Sequence, residues 1–374
     1  SLMASNYGIK LLYFTPWDIN FKQNKVSGKV YINNKWTNIL EDIPPLIDIQ
    51  SRCFKKDTRP IVEKLRGQAI FTFDRKNTPS KLKLQRELQK DSYLKRFVIP
   101  TQCLKIFDEL ISFINIYKRV VIKPIRGQQG QSVYKIEEVD NDYLLAFNSV
   151  TKKLSKKDLL LFYNEKLQST KYKMQKHINS RTNSNDPFDC RVIVQKNRHG
   201  KWEVAQILIR TGIGQKVVSN TSKGGGISYP KQFLKHNFKD QWKEVYKDIK
   251  NSSLKLAYKF EEIKKTPTMD LGLDIGIEKD GSLYLFEINN GSNIKRLVAE
   301  SAILRVEYYL YLYETNPSLI NVEGQISENI TYLQQLNESL ANENKIYKKK
   351  IQNMKMSTSW KITKPLRWID KMLK

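Results

Sequence analysis

The 374-residue sequence predicts a mixed α/β (α+β) body that ends in a coiled-coil helix and a basic amphipathic tail. Three observations carry this expectation. Short runs of β-branched and aromatic residues alternate with helical patterns up to about residue 315. Two strand pairs frame chemistry-bearing residues, one around a glycine loop and one around a tight turn. From Glu323 onward apolar residues recur every seven positions.

Residues 9–14 read as a strand ended by Thr15-Pro16, and the runs 29–32 and 35–37 flank the hairpin pair Asn33-Asn34. Pro44-Pro45 precedes a buried-strand run at 46–49, and 60–66 is helical. Residues 1–78 therefore form a small N-terminal α/β subdomain. A lysine-rich helix follows over 80–91, then a helix over 104–117 and a central-strand signature, Arg119-Val120-Val121-Ile122-Lys123-Pro124. The loop from Arg126 to Ser132 holds Gly127 and Gly130 and leads into a strand at 133–137. A Walker loop would lead into a helix and end in Gly-Lys-Ser/Thr, so this unit is a different phosphate-type loop.

Tyr172-Lys173-Met174-Gln175 precedes a polar loop at 179–185, and strands follow at 190–195 and 202–210. Beyond Gly224-Gly225-Gly226 one long helical region spans 238–264. The runs 271–277 and 282–289 pair around Lys279-Asp280-Gly281. These segments make residues 79–320 the central domain, with a lid at about 100–175 and a second half at 176–320. In the next segment, 323–356, Ile326, Leu333, Leu340, Tyr347 and Met354 form one heptad seam, and Ile330, Asn337, Asn344 and Ile351 the other. Seam asparagines fix the register of a dimeric coiled coil, so a homodimer is expected. A single amphipathic helix lying on the body is the alternative.

The 65 Lys+Arg outnumber the 38 Asp+Glu, for a formal charge of +27. The last thirty positions hold ten of the basic residues against Asp370 alone, interleaved with Trp360, Leu366, Trp368 and Leu373. Residues 357–374 thus read as a tail suited to an anionic membrane surface. Neither a recognition motif nor an aromatic stacking platform accompanies the basic runs, so no nucleic-acid partner is expected. A 40% apolar share excludes wholesale disorder, and the apolar stretch at 297–313 is interrupted by Glu300, Arg305 and Glu307. Three cysteines without CxxC spacing and three histidines argue against structural zinc and for a reducing, cytoplasmic setting, with the tail allowing a peripheral place at the inner membrane face.

Two features carry chemistry. Asp274 and Glu287 lie on adjacent antiparallel strands, and Asn289 shares the face of Glu287 by the two-residue alternation. Three oxygen ligands without His or Cys suit a hard ion such as Mg²⁺. Lys123 ends an apolar strand before the glycine loop, where backbone N–H groups and a lysine together suit phosphate.

This ordered set resembles the ATP-grasp superfamily over about residues 8–315. Val121-Ile122-Lys123-Pro124 with Gly127 to Gly130 looks like the nucleotide lysine and phosphate lid. Phe188-Asp189-Cys190-Arg191-Val192 with Arg210, Asn220 and Gly224-Gly225 is similar to the run in RimK-type ligases and, more closely, in the spore-coat-associated YheC/YheD branch. Carried over, the resemblance makes Lys81 and Lys123 ATP-phosphate ligands with Gly127, Gln129 and Gly130, and places Gln175 and Lys176 at the adenine hinge. It makes Arg191, Arg210 and Asn220 catalytic, and Asp274, Glu287 and Asn289 the metal set for two Mg²⁺ ions, with Mn²⁺ as a substitute. The pattern departs from the family after Asn289, where Asn290-Gly291 replaces a Pro-Gly turn, and at Gly272, where D-alanine-D-alanine ligases carry an arginine.

The implied activity is an ATP-dependent carboxylate–amine ligase, forming ADP and an acyl-phosphate. A phosphotransferase on a sugar or alcohol, and a degenerate scaffold at the membrane, remain as alternatives. Residues 357–367 resemble a C-terminal motif of surface-polysaccharide glycosyltransferases, which implies a glycan carboxylate or its precursor as substrate.

Overall fold

The computed structural model describes residues 2–32, 35–125, 132–147, 150–168, 171–212, 225–291, 299–316, 319 and 325–357. The chain divides into two compact units, one from Ser1–Pro45, Pro60–Ala69 and Leu312–Lys374, the other from Leu46–Arg59 and Ile70–Tyr311.

In the first unit a short helix α1 (Leu2–Asn6) precedes β1 (Ile19–Asn20), β2 (Lys25–Ile32) and β3 (Lys35–Asp42), which form an antiparallel sheet in the order β1-β2-β3. The strand expected at 9–14 is reduced to one bridge, between Tyr13 and Lys29. Its cause is crowding on that edge of β2. Strand β1 already pairs with Lys25 and Val26, and Pro16, which lacks an N–H, opens a turn at Pro16–Asp18 braced by Asp18 Oδ2 accepting from the Thr15 N–H at 2.6 Å.

Both halves of the proposed chemistry fall in the second unit. Here β4 (Leu46–Ile47) runs parallel to β5 (Ile70–Phe71); α2 (Arg59–Leu65), between them in sequence, falls almost wholly in the first unit. Helix α3 (Lys81–Gln89) starts where Ser80 Oγ accepts from the Lys83 N–H at 3.2 Å. Then come β6 (Thr101–Cys103), α4 (Phe107–Tyr117), β7 (Arg119–Pro124), β8 (Tyr134–Val139), β9 (Asp142–Phe147), β10 (Val150–Leu154), α5 (Lys156–Phe162) and β11 (Tyr172–Lys176). They build a six-stranded sheet in the order β10-β9-β8-β7-β11-β6. Its buried face sets Val120, Ile122, Ile136 and Met174 against Leu110 and Ile114 of α4. Four of these elements, β6, β9, β10 and α5, are not expected from the sequence pattern. Tyr143 and Leu145 alternate inward, and Ser155 and Asp158 form a reciprocal cap that opens α5.

The second sheet follows from β12 (Phe188–Lys196), β13 (Trp202–Thr211), β14 (Gly226–Ser228), α6 (Pro230–Phe238), α7 (Trp242–Lys264), β15 (Asp270–Ile277) and β16 (Leu283–Asn290), in the strand order β14-β13-β12-β15-β16. Cys190, Val192, Ile209 and Leu273 pack on one face against Ile249 and Leu256 of α7. The helix expected over 238–264 is α7, which opens at Trp242, and α6 precedes it where no helix is expected. Lys239 takes φ 44° and ψ −123°, outside the helical region, and the Asn237 side chain donates to the Phe233 carbonyl at 3.0 Å, closing α6.

Helix α8 (Ala299–Thr315) brings Arg305 into a partly buried polar knot. Its guanidinium pairs with Asp48 and reaches Asp270 at 3.2 Å. The Tyr309 hydroxyl donates to Asp48 at 2.6 Å, and the Thr72 hydroxyl donates to the same carboxylate at 2.8 Å. Lys264, with no exposed surface, donates to the Pro267 carbonyl and the Thr268 hydroxyl, both at 2.8 Å, and to the Thr266 carbonyl at 3.3 Å.

Helix α9 (Gln325–Met356) covers the heptad segment, and its seam residues Leu340, Tyr347, Ile351 and Met354 are exposed in the single chain. Among the described residues no helix is long and apolar enough to cross a membrane. The basic tail beyond Ser357 lies outside the described residues.

Candidate functional site

Strand alternation builds the site. Asp189 and Arg191 are two apart on β12 and share a face, while Cys190 and Val192 turn into the core. The register then sets Arg210 opposite Asp189, Asp274 opposite Arg191, Glu287 opposite Asp274, and Asn289 opposite Gly272. One face of four adjacent strands thus collects two arginines, three carboxylates and an amide.

Asp274 is the hub. Its Oδ1 accepts from Arg191 Nη1 at 2.7 Å and lies 2.9 Å from Arg210 Nη2, and its Oδ2 accepts from Asn289 Nδ2 at 3.3 Å. Arg210 is also bidentate to Asp189, through Nε at 3.0 Å and through Nη2. Burial works against the Arg210 charge, but Asp189 and Asp274 more than offset it and hold its pKa above the ordinary value. Gly272 makes room for this arrangement. A Cβ there would sit 2.4 Å from Arg191 Nη2 and 2.6 Å from its Cζ, so only glycine lets the guanidinium lie flat over β15.

The facing side is cationic. Lys81, the first residue of α3, reaches Glu287 at 3.0 Å. Lys123 near the end of β7 is the direct cross-strand partner of Lys173 on β11. Burial, then repulsion from Lys173 and Lys81, pulls the Lys123 pKa down to about 7, with Glu287 acting in the opposite sense. The same causes, burial first and then Lys81, lower Lys173.

The structure therefore brings Lys81, Lys123, Arg191, Arg210, Asp274, Glu287 and Asn289 to one neighbourhood. Gln175 is buried on β11 and donates to Thr101 Oγ1 at 2.8 Å. Lys176 turns elsewhere. Its ammonium lies 3.6 Å from Glu278 and over the Tyr284 ring, and its N–H donates to the Pro100 carbonyl at 3.0 Å. Gly127, Gln129, Gly130 and Asn220 lie outside the described residues. Two participants were missed in the sequence, Lys173 and Asp189. The two-residue alternation that joins Glu287 to Asn289 also joins Lys173 to Gln175 and Asp189 to Arg191, and would have found both.

Among the described residues no three His, Cys, Asp or Glu gather as a metal cluster, and Asp274, Glu287 and Asn289 are the oxygen-bearing side chains that the register brings together. The donor set fits a hard ion. All three ligands offer oxygen, the Asp274 side chain is only 13% exposed and fixed by two arginines, and Glu287 is held on its free side by an exposed, exchangeable lysine.

Residues 69–314 match the family model described as YheC/D like ATP-grasp. The chain is 24% identical over 318 residues to the endospore coat-associated protein YheC of Bacillus subtilis (strain 168), covering 82% of this chain and 87% of that protein. It is 20% identical over 289 residues to the endospore coat-associated protein YheD of the same organism, covering 74% of this chain and 63% of that one. Among solved structures it is similar to the ATP-grasp ligase PsnB complexed with minimal precursor, Mg and ADP, with a TM-score of 0.41, 11% identity, and coverage of 81% of this chain and 86% of that chain.

Proposed function

The chain belongs to the YheC/D-like ATP-grasp family, and from that premise we propose that it is an ATP- and Mg²⁺-dependent carboxylate–amine ligase. The observation that carries the reading is the cross-strand pair Asp274 and Glu287, the first clamped by Arg191 and Arg210, the second opposite the lysines.

A carboxylate is a poor electrophile. Its oxygen attacks the γ-phosphorus of ATP, ADP leaves, and an acyl-phosphate forms. An amine nitrogen then attacks the acyl carbon, phosphate leaves with the electrons of the C–O bond, and the amine proton passes to solvent. Asp274, Glu287 and Asn289 would hold Mg²⁺, or Mn²⁺ in its place, which would supply charge neutralisation at the phosphates. Lys81 and Lys123 draw the polyphosphate in, while Arg191 and Arg210 stay charged and hold Asp274 in a fixed position. Gly127, Gln129 and Gly130, outside the described residues, are assigned to the ATP phosphates by the sequence resemblance alone. Asn220 completes the catalytic set, and Gln175 and Lys176 flank the base.

ADP and phosphate release should require both a carboxylate and an amine, and Glu287→Ala should lower it by at least about a thousandfold. Release with a sugar or alcohol alone would make the enzyme a phosphotransferase instead. Turnover surviving in Glu287→Ala would remove the metal assignment. Amino acids and uronic-acid sugars are the first compounds to screen, because the tail's likeness to polysaccharide glycosyltransferases supports a glycan carboxylate.

The exposed α9 seam supports a homodimer, and the basic aromatic tail supports an anionic membrane surface. Deleting residues 325–374 should leave a monomer that no longer sediments with anionic vesicles at moderate salt. A persisting dimer, or unchanged sedimentation, overturns the corresponding half.

A further inference from the structure

The six-stranded sheet carries a transverse row of which the ligase reading uses Lys123 alone. Register pairs Cys103 of β6 with Lys173 of β11, and Lys173 with Lys123 of β7, so the three side chains stand side by side on one face. One step along the same face come Thr101, Gln175 and Val121, again in register. The opposite face, with Ile122 and Met174, is the sheet's own core.

Lys173 is the anomaly in this row. It is 6% exposed, yet among the described residues its ammonium has neither a hydrogen bond nor an ion pair. A lysine buried in this way normally finds a carboxylate or a set of carbonyls. Lys264, equally buried, has three oxygens. Lys173 instead has Lys123 directly across the strand pair and feels the repulsion of Lys81, with Glu287 as the opposing charge. Two like charges placed directly opposite each other destabilise a sheet. Tolerance of that cost in three converging lysines is explained by a multiply charged anion that occupies the space when the protein works.

We propose that Lys173 is a third polyphosphate-binding lysine, placed by the β7–β11 register beside Lys123 and acting on the phosphates of the nucleotide. The inference rests on the ATP reading of the same site. It adds a residue that neither the glycine loop nor the strand-end lysine announces, and it gives that residue a selective role. Lys173 discriminates by phosphate charge, since the base meets the next row.

The test compares the full chain with Lys173→Met, which keeps the apolar stem and removes the charge, and with Lys173→Arg. Binding of Mg-ATP, Mg-ADP and adenosine is measured by displacement of a fluorescent nucleotide, and the melting temperature of the ligand-free protein by calorimetry. Lys173→Met should weaken ATP and ADP roughly 10- to 100-fold, the range of a charge-assisted hydrogen bond, and leave adenosine within about twofold. Its ligand-free melting temperature should hold or rise, by roughly 2–4 °C, because a desolvated repelling charge is gone. Lys173→Arg should keep ATP affinity above that of Lys173→Met. Unchanged ATP affinity in Lys173→Met overturns the proposal, as does an equal loss for ATP and adenosine, or a melting temperature that falls with the affinity, since each marks a purely structural lysine. Failure of the ligase reading looks different: the wild type then binds ATP and loses it on Lys173→Met, but releases no ADP with any carboxylate and amine.

Discussion

The two sheets of the larger unit handle charge in opposite ways. On the site face of the five-stranded sheet the carboxylates have cations: Asp189 takes Arg210, and Asp274 takes Arg191 and Arg210, across the register. On the six-stranded sheet Lys123 and Lys173 face each other, among the described residues neither has an ion pair, and Lys123 is pulled down to about 7 by burial and by its two lysine neighbours. One surface is electrostatically complete without ligand and the other is not. A rigid acidic platform suits ligands that must be held in fixed geometry, whereas a self-repelling cationic surface gains most when an anion arrives.

The largest break in this contrast should come from Asp274→Ala. Two partly buried guanidinium groups then lose their shared acceptor, and the loss expected in chemical denaturation is about 3–5 kcal/mol. A change below about 1 kcal/mol would show that the platform is not a single network. Next is a third kind of buried cation, Lys264, surrounded by neutral acceptors. Burial lowers its pKa to about 8. The unfolded chain binds this proton up to about pH 10 while the folded one releases it near 8, so stability should rise between those limits, by on the order of 3 kcal/mol in full. Lys264→Met should show no such rise in melting temperature against pH, and an identical rise would place the titration elsewhere. The smallest expected effect is Gly272→Ala. The new methyl meets the Arg191 guanidinium, at 2.4 Å from Nη2, and the strain should cost about 1–3 kcal/mol and lower turnover through the displaced clamp. A silent substitution would mean that Arg191 need not lie flat.

Much of the five-stranded sheet was legible in the sequence because its information is local. Asp189 with Arg191, and Glu287 with Asn289, are two residues apart, and the turn at Gly281 fixes which strand meets which. The six-stranded sheet was harder. Its β11 runs between β7 and β6, strands far from it in sequence, and no periodicity states that Lys173 lands beside Lys123. Helix α6 escaped for another reason. Residues 238–241 contain neither glycine nor proline to mark its end, which is made by Lys239 at φ 44° and ψ −123° with Asn237 closing the last turn. The hairpin of β9 and β10 was passed over because half of it, Val150–Leu154, is almost wholly exposed and carries no alternation.

The knot of Arg305 with Asp48 has a consequence for where the molecule can be cut. The two residues are 257 positions apart, and Asp48 precedes the start of the matched family region at residue 69. A fragment opening at that point would leave Arg305 and Tyr309 without their common acceptor and β5 without its parallel neighbour β4. The last turns of α8 can lock only after a segment made early in synthesis has waited for one made late. High contact order of this kind slows folding and favours chains that are released whole.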